Sequence, residues 1–307
     1  MTAAVSSGKI YAGVLPGINM SGAILNPVTL FTAYKNRVVT DGGIIVDEAA
    51  TLDEITFIVN NGMWDRVSAW AGASFGLKIK SGTTAQIEKL YGLSASPDFT
   101  TVIVPPSAGG APANLITGAV NKISIALSNG GVYLKSSTQS KAQAAAGVPY
   151  LISARLEDRL ATDQLGITVS FADDTTNKAL ARQQTIYTNA GAQNVAWQYF
   201  ATNVNPPVLG SDVASGAQSP YLAFAKCAGL FDQAAGAVIG YGNGAVLHTG
   251  ASTTGALADL SQVNGHWHLG PADSSVPTGA SCYGYLANIR CLNIASRLDA
   301  QLISNRA

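Results

Sequence analysis

The chain has 307 residues, and its 18 Lys and Arg balance 18 Asp and Glu, so only 12% of its positions are charged. A hydrophobic fraction of 47% is ample for a globular core and excludes a chain that is disordered throughout. Because the net charge is zero and no run of Lys or Arg occurs, we predict no nucleic-acid partner and no membrane association.

Residues 1–25, which begin MTAAVSSGK, are small, glycine-punctuated and aperiodic. They lack the basic start and continuous apolar stretch of a signal peptide, so we expect no export by that route. Their apolar side chains show no periodicity that would bury them on their own chain, which predicts an extended docking arm lying on a partner. The predicted assembly-interface residues are Ile10, Val14, Leu15, Ile18, Ile24 and Leu25.

Residues 26–95 have the pattern of a compact, mainly helical unit. A first helix is predicted after Asn26, whose side chain can cap it, and a second near Thr51, which has the spacing of a capping box with Glu54. A glycine-containing turn follows each helix, and the ring of Trp70 is large enough to help close a small core over the two helices.

Residues 96–307 switch to a period of two, which is typical of half-buried strands. Hairpins are predicted over 123–134 and over 237–247, the second with a turn at Tyr241-Gly242-Asn243-Gly244. Many short strands with few helices between them favour antiparallel sheets packed as a sandwich, so the predicted fold class is α+β, mainly β. A short final helix capped by Ser296 is predicted to turn three side chains inward, Leu298, Leu302 and Ile303.

Charge is absent from residues 183–210 and from residues 233–258. Exposed charge keeps soluble monomers apart, so a surface this poor in charge predicts contacts with other subunits. We therefore expect a symmetric homo-oligomer.

The C-terminal part of the chain resembles the last strands of a concanavalin A-like lectin or laminin-G jelly roll. The residues that carry the resemblance are AVIGYGNGAVL at 237–247, WHLG at 267–270 and GYLANIR at 284–290, followed by the closing helix. Such domains have a hairpin of this kind, a strand that ends in Gly and a final strand leading into a short helix. The resemblance covers roughly residues 150–307 and implies a lectin-like jelly roll within the 96–307 sandwich.

The motifs YKNRV at 34–38, DGG at 41–43, NGMWD at 61–65 and KLYG at 89–92 are similar to a helical module of tailed-bacteriophage virion proteins. That module precedes variable β-domains in such proteins. The resemblance implies a virion protein, synthesised in the host cytoplasm, whose 26–95 unit docks it onto other virion proteins. A homotrimer is the oligomer it implies.

Catalysis is not expected. A glycosidase needs two carboxylates that face each other across a cleft, whereas the adjacent pairs Glu157-Asp158 and Asp173-Asp174 point to opposite faces of a strand. We therefore predict a non-enzymatic protein with no catalytic residues and no cofactor.

No metal ion is expected either. The residues with the arrangement closest to a ligand set are Asp173 and Asp174, suited to Ca²⁺, and His266 and His268, suited to a transition metal. The alternative for the two histidines is a half-exposed pair that flanks a core Trp.

Flat aromatic faces suit the apolar faces of pyranose rings, which makes several aromatic residues candidates for sugar contact. The candidate carbohydrate-binding residues are Trp197, Tyr199, Tyr221, Trp267 and Tyr283, with Tyr285 as a further aromatic of the same kind. The alternative for all of them is a place in the sandwich core.

These observations favour a structural component of a bacteriophage virion, a tail or adhesion protein that displays its lectin-like domain toward a host-surface glycan. One alternative is a head (capsid) decoration protein in which the same sandwich has a purely structural role. Another is a cellular carbohydrate-binding module, which would not need the helical unit.

Overall fold

The computed structural model describes residues 25–104, 113–127, 131–158, 168–174, 179–187, 193–200, 209–216, 226–251, 257–270 and 282–306. Within these ranges the helices are α1 (Pro27–Thr40), α2 (Glu48–Asn60), a 3-10 helix (Trp64–Arg66) and α3 (Arg297–Asn305). The strands are β1 (Ile44–Ile45), β2 (Val67–Gly72), β3 (Gly76–Ile79), β4 (Ile87–Leu90), β5 (Phe99–Val104), β6 (Asn114–Ile116), β7 (Lys122–Leu127), β8 (Gly131–Ser136), β9 (Tyr150–Asp158), β10 (Thr168–Asp173), β11 (Ala179–Tyr187), β12 (Gln193–Phe200), β13 (Leu209–Gly216), β14 (Cys227–Asp232), β15 (Ala237–Gly242), β16 (Ala245–Ala251), β17 (Gly265–Gly270) and β18 (Cys282–Leu292).

The described strands pair antiparallel in two layers. Sheet I runs in the order β1-β3-β4-β5-β8-β17-β10-β11-β12-β13. Sheet II is built around the long strand β18, which has β9, β14, β15 and β16 on one side and β2, β7 and β6 on the other. The layers are linked at two places among the described residues. Leu127 is opposite Gly131 where β7 turns into β8, and Gln86, just before β4, forms a bridge with Asn114 of β6. The predicted α+β, mainly β antiparallel sandwich is confirmed.

The two sheets meet face to face in an apolar core. Trp197 on β12 of sheet I is fully buried and lies against Gly229 and Gly240, which are opposite each other on β14 and β15 of sheet II. A Cβ at either glycine would overlap the indole ring, so the glycines make room for Trp197. The side chain of Gln183 adds a polar link between the layers, because its Nε2 donates to the backbone oxygen of Ala154 at 2.8 Å.

The outer face of sheet II is covered by the helices. Buried residues of α1, α2 and α3 form a second apolar cluster with side chains from β2, β9, β14, β15 and β18, including Val38, Ile58, Trp70, Leu292 and Ile303. Sheet II therefore has a core on both of its faces. Among the described residues no helix is long and apolar enough to span a bilayer.

The helix caps agree with the sequence at two of three sites. The Asn26 side chain accepts from Val28 N at 2.9 Å at the start of α1, and Ser296 forms a complete capping box with Asp299 in α3. The second helix is present, but its predicted start near Thr51 is wrong, because α2 begins at Glu48 with Asp47 as its cap. Thr51 and Glu54 lie inside that helix and are buried.

The turn predicted over residues 241–244 joins β15 to β16, but only Asn243 and Gly244 form it, with φ of 50° and 79°, because residues 241 and 242 belong to β15. Such left-handed angles are the ones that Asn and Gly adopt at low cost. In α3, Ile303 is buried and Leu302 is half-buried, as predicted. Leu298 is 61% exposed, so its predicted inward orientation is wrong.

The predicted boundary at residue 96 does not separate two units. Residues 26–95 contain both predicted helices but also β1 to β4. The strand β2 pairs with β18 near the other end of the chain, and β4 pairs with β5 across residue 96. The prediction of a separate helical unit is wrong, because the strands of residues 26–95 belong to sheets I and II together with the strands of the rest of the chain.

Candidate functional site

A buried ion-pair network joins α2 to the outer face of sheet II. Glu54 accepts from Arg290 Nε at 2.6 Å, from Arg306 Nε at 2.9 Å and from Trp70 Nε1 at 2.8 Å. Burial by itself raises the pKa of Glu54, but the guanidinium groups of Arg290 and Arg306 outweigh it and hold the pKa below the ordinary value. Glu54 is therefore a buried carboxylate that stays charged.

A cleft of about 410 Å³ opens beside this network. Its walls are the first turns of α2, the turn between β2 and β3, the connection between β6 and β7, and the strands β9 and β18. We call it the polar cleft, because its polar and charged lining residues are Asp47, Asp53, Glu54, Ser74, Asn121, Arg155, Asn288, Arg290 and Arg306.

Arg155 and Asn288 are direct cross-strand partners on β9 and β18, so their side chains stand next to each other in the polar cleft. Asn288 is 8% exposed, and its Oδ1 is buried with no hydrogen-bond partner in the structure. A buried acceptor left unpaired costs free energy on the order of 1–3 kcal/mol. A ligand that brings an O–H or N–H donor to Asn288 would recover that cost.

The charges that line the polar cleft balance. The acids are Asp47, Asp53 and Glu54, and the bases are Arg155, Arg290 and Arg306. Four of these groups already pair with one another, since Arg290 and Arg306 contact Glu54 and Arg306 also contacts Asp53 at 2.6 Å. A strongly charged ligand would meet like charge on either side of the cleft, whereas a neutral ligand with many hydroxyl groups would not.

Three of the predicted aromatic sugar contacts are buried. Trp197, Tyr199 and Trp267 are at most 2% exposed and belong to the core between the sheets. The alternative that places them in the core is correct for these three, because an indole or phenol ring with no exposed face cannot stack on a sugar. Tyr221 and the side chain of Tyr283 lie outside the described residues. Tyr285 is half-buried on the outer face of sheet II.

The two histidines have different surroundings. His266 Nε2 lies 3.1 Å from Asp174 Oδ1, and its Nδ1 lies 2.7 Å from the backbone oxygen of Ser136. His268 is fully buried beside the ring of Tyr133, and neither of its ring nitrogens has a hydrogen-bond partner among the described residues.

The weak metal candidates do not gather into a ligand set. Asp173 lies at the end of β10 opposite Gly265, and Asp174 follows it beside Lys135 at 3.7 Å. Within the described ranges no group of three or more His, Cys, Asp or Glu side chains is arranged to hold a metal ion.

Of the predicted arm residues, Ile10, Val14, Leu15, Ile18 and Ile24 lie outside the described residues. Leu25 is half-buried and packs against the apolar cluster under the helices of this same chain. Its own chain therefore covers part of it, and its role in an assembly interface stays a prediction.

The polar cleft was not predicted, although the sequence contains a signal for it. Arg155 and Glu157 alternate with apolar residues in one strand, as Asn288 and Arg290 do in another. Polar side chains two residues apart in otherwise buried strands share one face, which indicates a polar surface. What the spacing cannot give is the pairing of β9 with β18, which brings the two sets together.

No protein-family model and no curated protein matches this sequence. Solved structures with a similar backbone include the binding domain of botulinum neurotoxin DC in complex with SialylT, 9% identical with a TM-score of 0.44 over 78% of this chain and 51% of that chain. Domain 4 of AbnA, a GH43 extracellular arabinanase from Geobacillus stearothermophilus, in complex with arabinotriose, is 11% identical with a TM-score of 0.40 over 67% of this chain and 87% of that chain. The chain thus spans about half the length of the neurotoxin chain.

Proposed function

We propose that this chain is a non-enzymatic binding protein that takes a neutral, hydroxyl-rich ligand, a saccharide, in the polar cleft. The observation that carries the proposal is the unpaired Oδ1 of Asn288 beside Arg155, inside a cleft whose lining charges balance. A sugar hydroxyl donates to Asn288 and accepts from the Arg155 guanidinium without bringing a charge of its own.

Calorimetric titration with the neutral sugars glucose, galactose, mannose and N-acetylglucosamine tests the proposed saccharide site. We expect Asn288→Ala to weaken binding of the tightest sugar about tenfold, because the ligand donor then loses its acceptor. The control Lys35→Ala changes an exposed residue of α1 outside the cleft and should bind as the wild type does. Full affinity in Asn288→Ala and Arg155→Ala variants that remain folded would refute this site.

The charged analogues glucose 6-phosphate and glucosamine provide a second test. Each carries a charge that one side of the lining repels, so both should bind more weakly than glucose. Tighter binding of glucose 6-phosphate than of glucose would show that the basic residues of the cleft outweigh the acidic ones. The ligand of the cleft would then be an anion and not a neutral saccharide.

For the biological setting we propose a virion tail or adhesion protein that is a homotrimer and displays the polar cleft toward a host-surface glycan. The resemblance of residues 34–92 to a phage helical module supports this, as does the low charged fraction of 12%. Exposed apolar side chains on α1 and β1, Val28, Val39 and Ile44, offer surface for subunit contacts.

Competition with phage adsorption separates an adhesion protein from a head decoration protein. The purified wild-type protein should block adsorption of particles to host cells, and Asn288→Ala should block it less. A protein that coats the heads of particles and does not compete would favour the head decoration role.

Light scattering of the purified protein tests the predicted homotrimer and should give the mass of three subunits. The mass of one subunit at micromolar concentration would contradict self-association.

A further inference from the structure

A β-bulge in β18 places Tyr285 on the same face of sheet II as Asn288. The register shifts between Leu286 and Asn288, which leaves Ala287 as the extra residue opposite β9. In a regular strand residues 285 and 288 would point to opposite faces, because their separation is odd. Leu286 and Ile289 both point into the inner core, as the bulge requires.

Tyr285 lines a groove of about 620 Å³ on this outer face. The groove lies between β6, β7 and the turn before β4, and all of its described lining residues are uncharged. They include the hydroxyls of Thr83, Thr84 and Ser124 and the amides of Gln86 and Asn114. One aromatic ring among neutral donors and acceptors is a lining suited to a sugar ring.

The orientation of the Tyr285 ring is fixed from one side. Lys122 Nζ lies 4.0 Å from the ring centroid and 2.9 Å from Glu157 Oε2, so the cation is itself held by the neighbouring strand. A ring held in this way loses little side-chain entropy when a ligand stacks on it.

The groove and the polar cleft adjoin along β18. Tyr285 of the groove is opposite Glu157 and Asn288 of the cleft is opposite Arg155, so the two side chains face positions two residues apart on β9, about 7 Å along the strand. The connection that follows β6 continues from Ile116 in the groove to Gly118 in the cleft.

We infer that the Tyr285 groove is a second subsite and that the ligand is a linear neutral oligosaccharide lying across both sites. One sugar unit donates to Asn288 in the polar cleft, and a later unit of the same chain stacks on Tyr285. This inference rests on the proposed function, since it takes the polar cleft as the first subsite.

The experiment is a calorimetric series that runs from the monosaccharide bound best to its longer linear oligomers. In the wild type we expect the affinity to rise by about tenfold once the oligomer is long enough to reach Tyr285. Tyr285→Ala should abolish that rise and leave monosaccharide affinity unchanged, and Tyr285→Phe should keep it because the ring remains.

A second variant tests the groove without removing Tyr285, in case Tyr285→Ala misfolds. Thr84 is exposed, so Thr84→Trp fills the groove without disturbing the sheet and should also remove the rise with chain length. Equal affinity for monomer and oligomers, or a rise that survives both Tyr285→Ala and Thr84→Trp, overturns the second subsite alone. Failure of every saccharide to bind overturns the proposed function and this inference together.

Discussion

The carboxylate of Glu54 accepts hydrogen bonds from three residues that are distant in sequence, Trp70, Arg290 and Arg306. Its side chain is 4% exposed and that of Arg290 is 2% exposed. In such a pair the attraction only offsets the cost of taking both charges out of water. Removing one partner is different, because the other is then a buried charge without its counterion.

We therefore expect Glu54→Ala to lower the free energy of unfolding by about 3–5 kcal/mol, measured by urea denaturation. The matched control is Glu48→Ala in the same helix, which breaks a pair with Lys35 whose side chains are 53% and 41% exposed. That pair is worth about 1 kcal/mol or less. Equal losses for the two variants would show that Arg290 finds another partner.

His268 makes stability depend on pH. Its pKa is lowered from 6.5 to about 4, mainly by burial and further by its electrostatic interactions with Lys135 and His266, while the carboxylate of Asp174 partly opposes them. Between these two values the unfolded chain binds a proton that the folded chain does not. Stability is thus full above pH 6.5 and falls as the pH drops toward 4, by about 3 kcal/mol from this residue.

The measurement is urea unfolding of the wild type and of His268→Phe at a series of pH values. Phe keeps a ring beside Tyr133 but cannot bind a proton, so the variant should lose less stability than the wild type between pH 6.5 and 4. Parallel curves for the two proteins would mean that the surroundings of His268 relax and admit the charge.

At the scale of elements, the spacing of the two sheets depends on which strands carry glycine. The indole of Trp197 on β12 lies against Gly229 of β14 and Gly240 of β15, and its Nε1 donates to Gln183 Oε1 at 3.1 Å. A side chain at either glycine would push the sheets apart or turn Trp197 away from Gln183. The contact thus couples sheet packing to a buried hydrogen bond.

We expect Gly229→Ala to destabilise the protein by about 1–3 kcal/mol through overpacking, measured as a lower urea midpoint. Gly118→Ala is the control, since a Cβ there meets open space. A Gly229→Ala variant as stable as Gly118→Ala would show that Trp197 can move at little cost.

At the scale of the whole molecule, both ends of the described chain belong to the same layers. The strand β2 pairs with β18, and α2 is tied by Glu54 to Arg290 on β18 and to Arg306 after α3. Ile58 of α2 packs on the outer face of sheet II, to which Trp70 of β2 belongs. The first hundred residues therefore cannot be detached without exposing a core.

A fragment of residues 96–307 should consequently fail to fold, and it should show no cooperative thermal transition by circular dichroism. The full chain should unfold in one transition, because its sheets share a core. A folded, cooperative fragment would restore the boundary at residue 96 that the sequence suggested.

The sequence by itself determined the elements whose causes are local. The cap at Asn26, the capping box at Ser296 and the turn at Asn243-Gly244 each depend on residues within a few positions of one another. The alternation of apolar residues likewise sufficed for the class of fold, since a period of two requires strands with one buried face.

Only the tertiary structure determined where the candidate site lies and that residues 26–95 share their sheets with the rest of the chain. Asn288 and Arg155 meet because β9 pairs with β18, and Tyr285 joins them because of a bulge that no local pattern indicates. Glu54 has the spacing of a cap, but its two ion-pair partners, Arg290 and Arg306, lie more than two hundred residues away. Strand pairing and register are fixed by contacts between distant segments, so the residues that could bind a ligand could be recognised only in the folded chain.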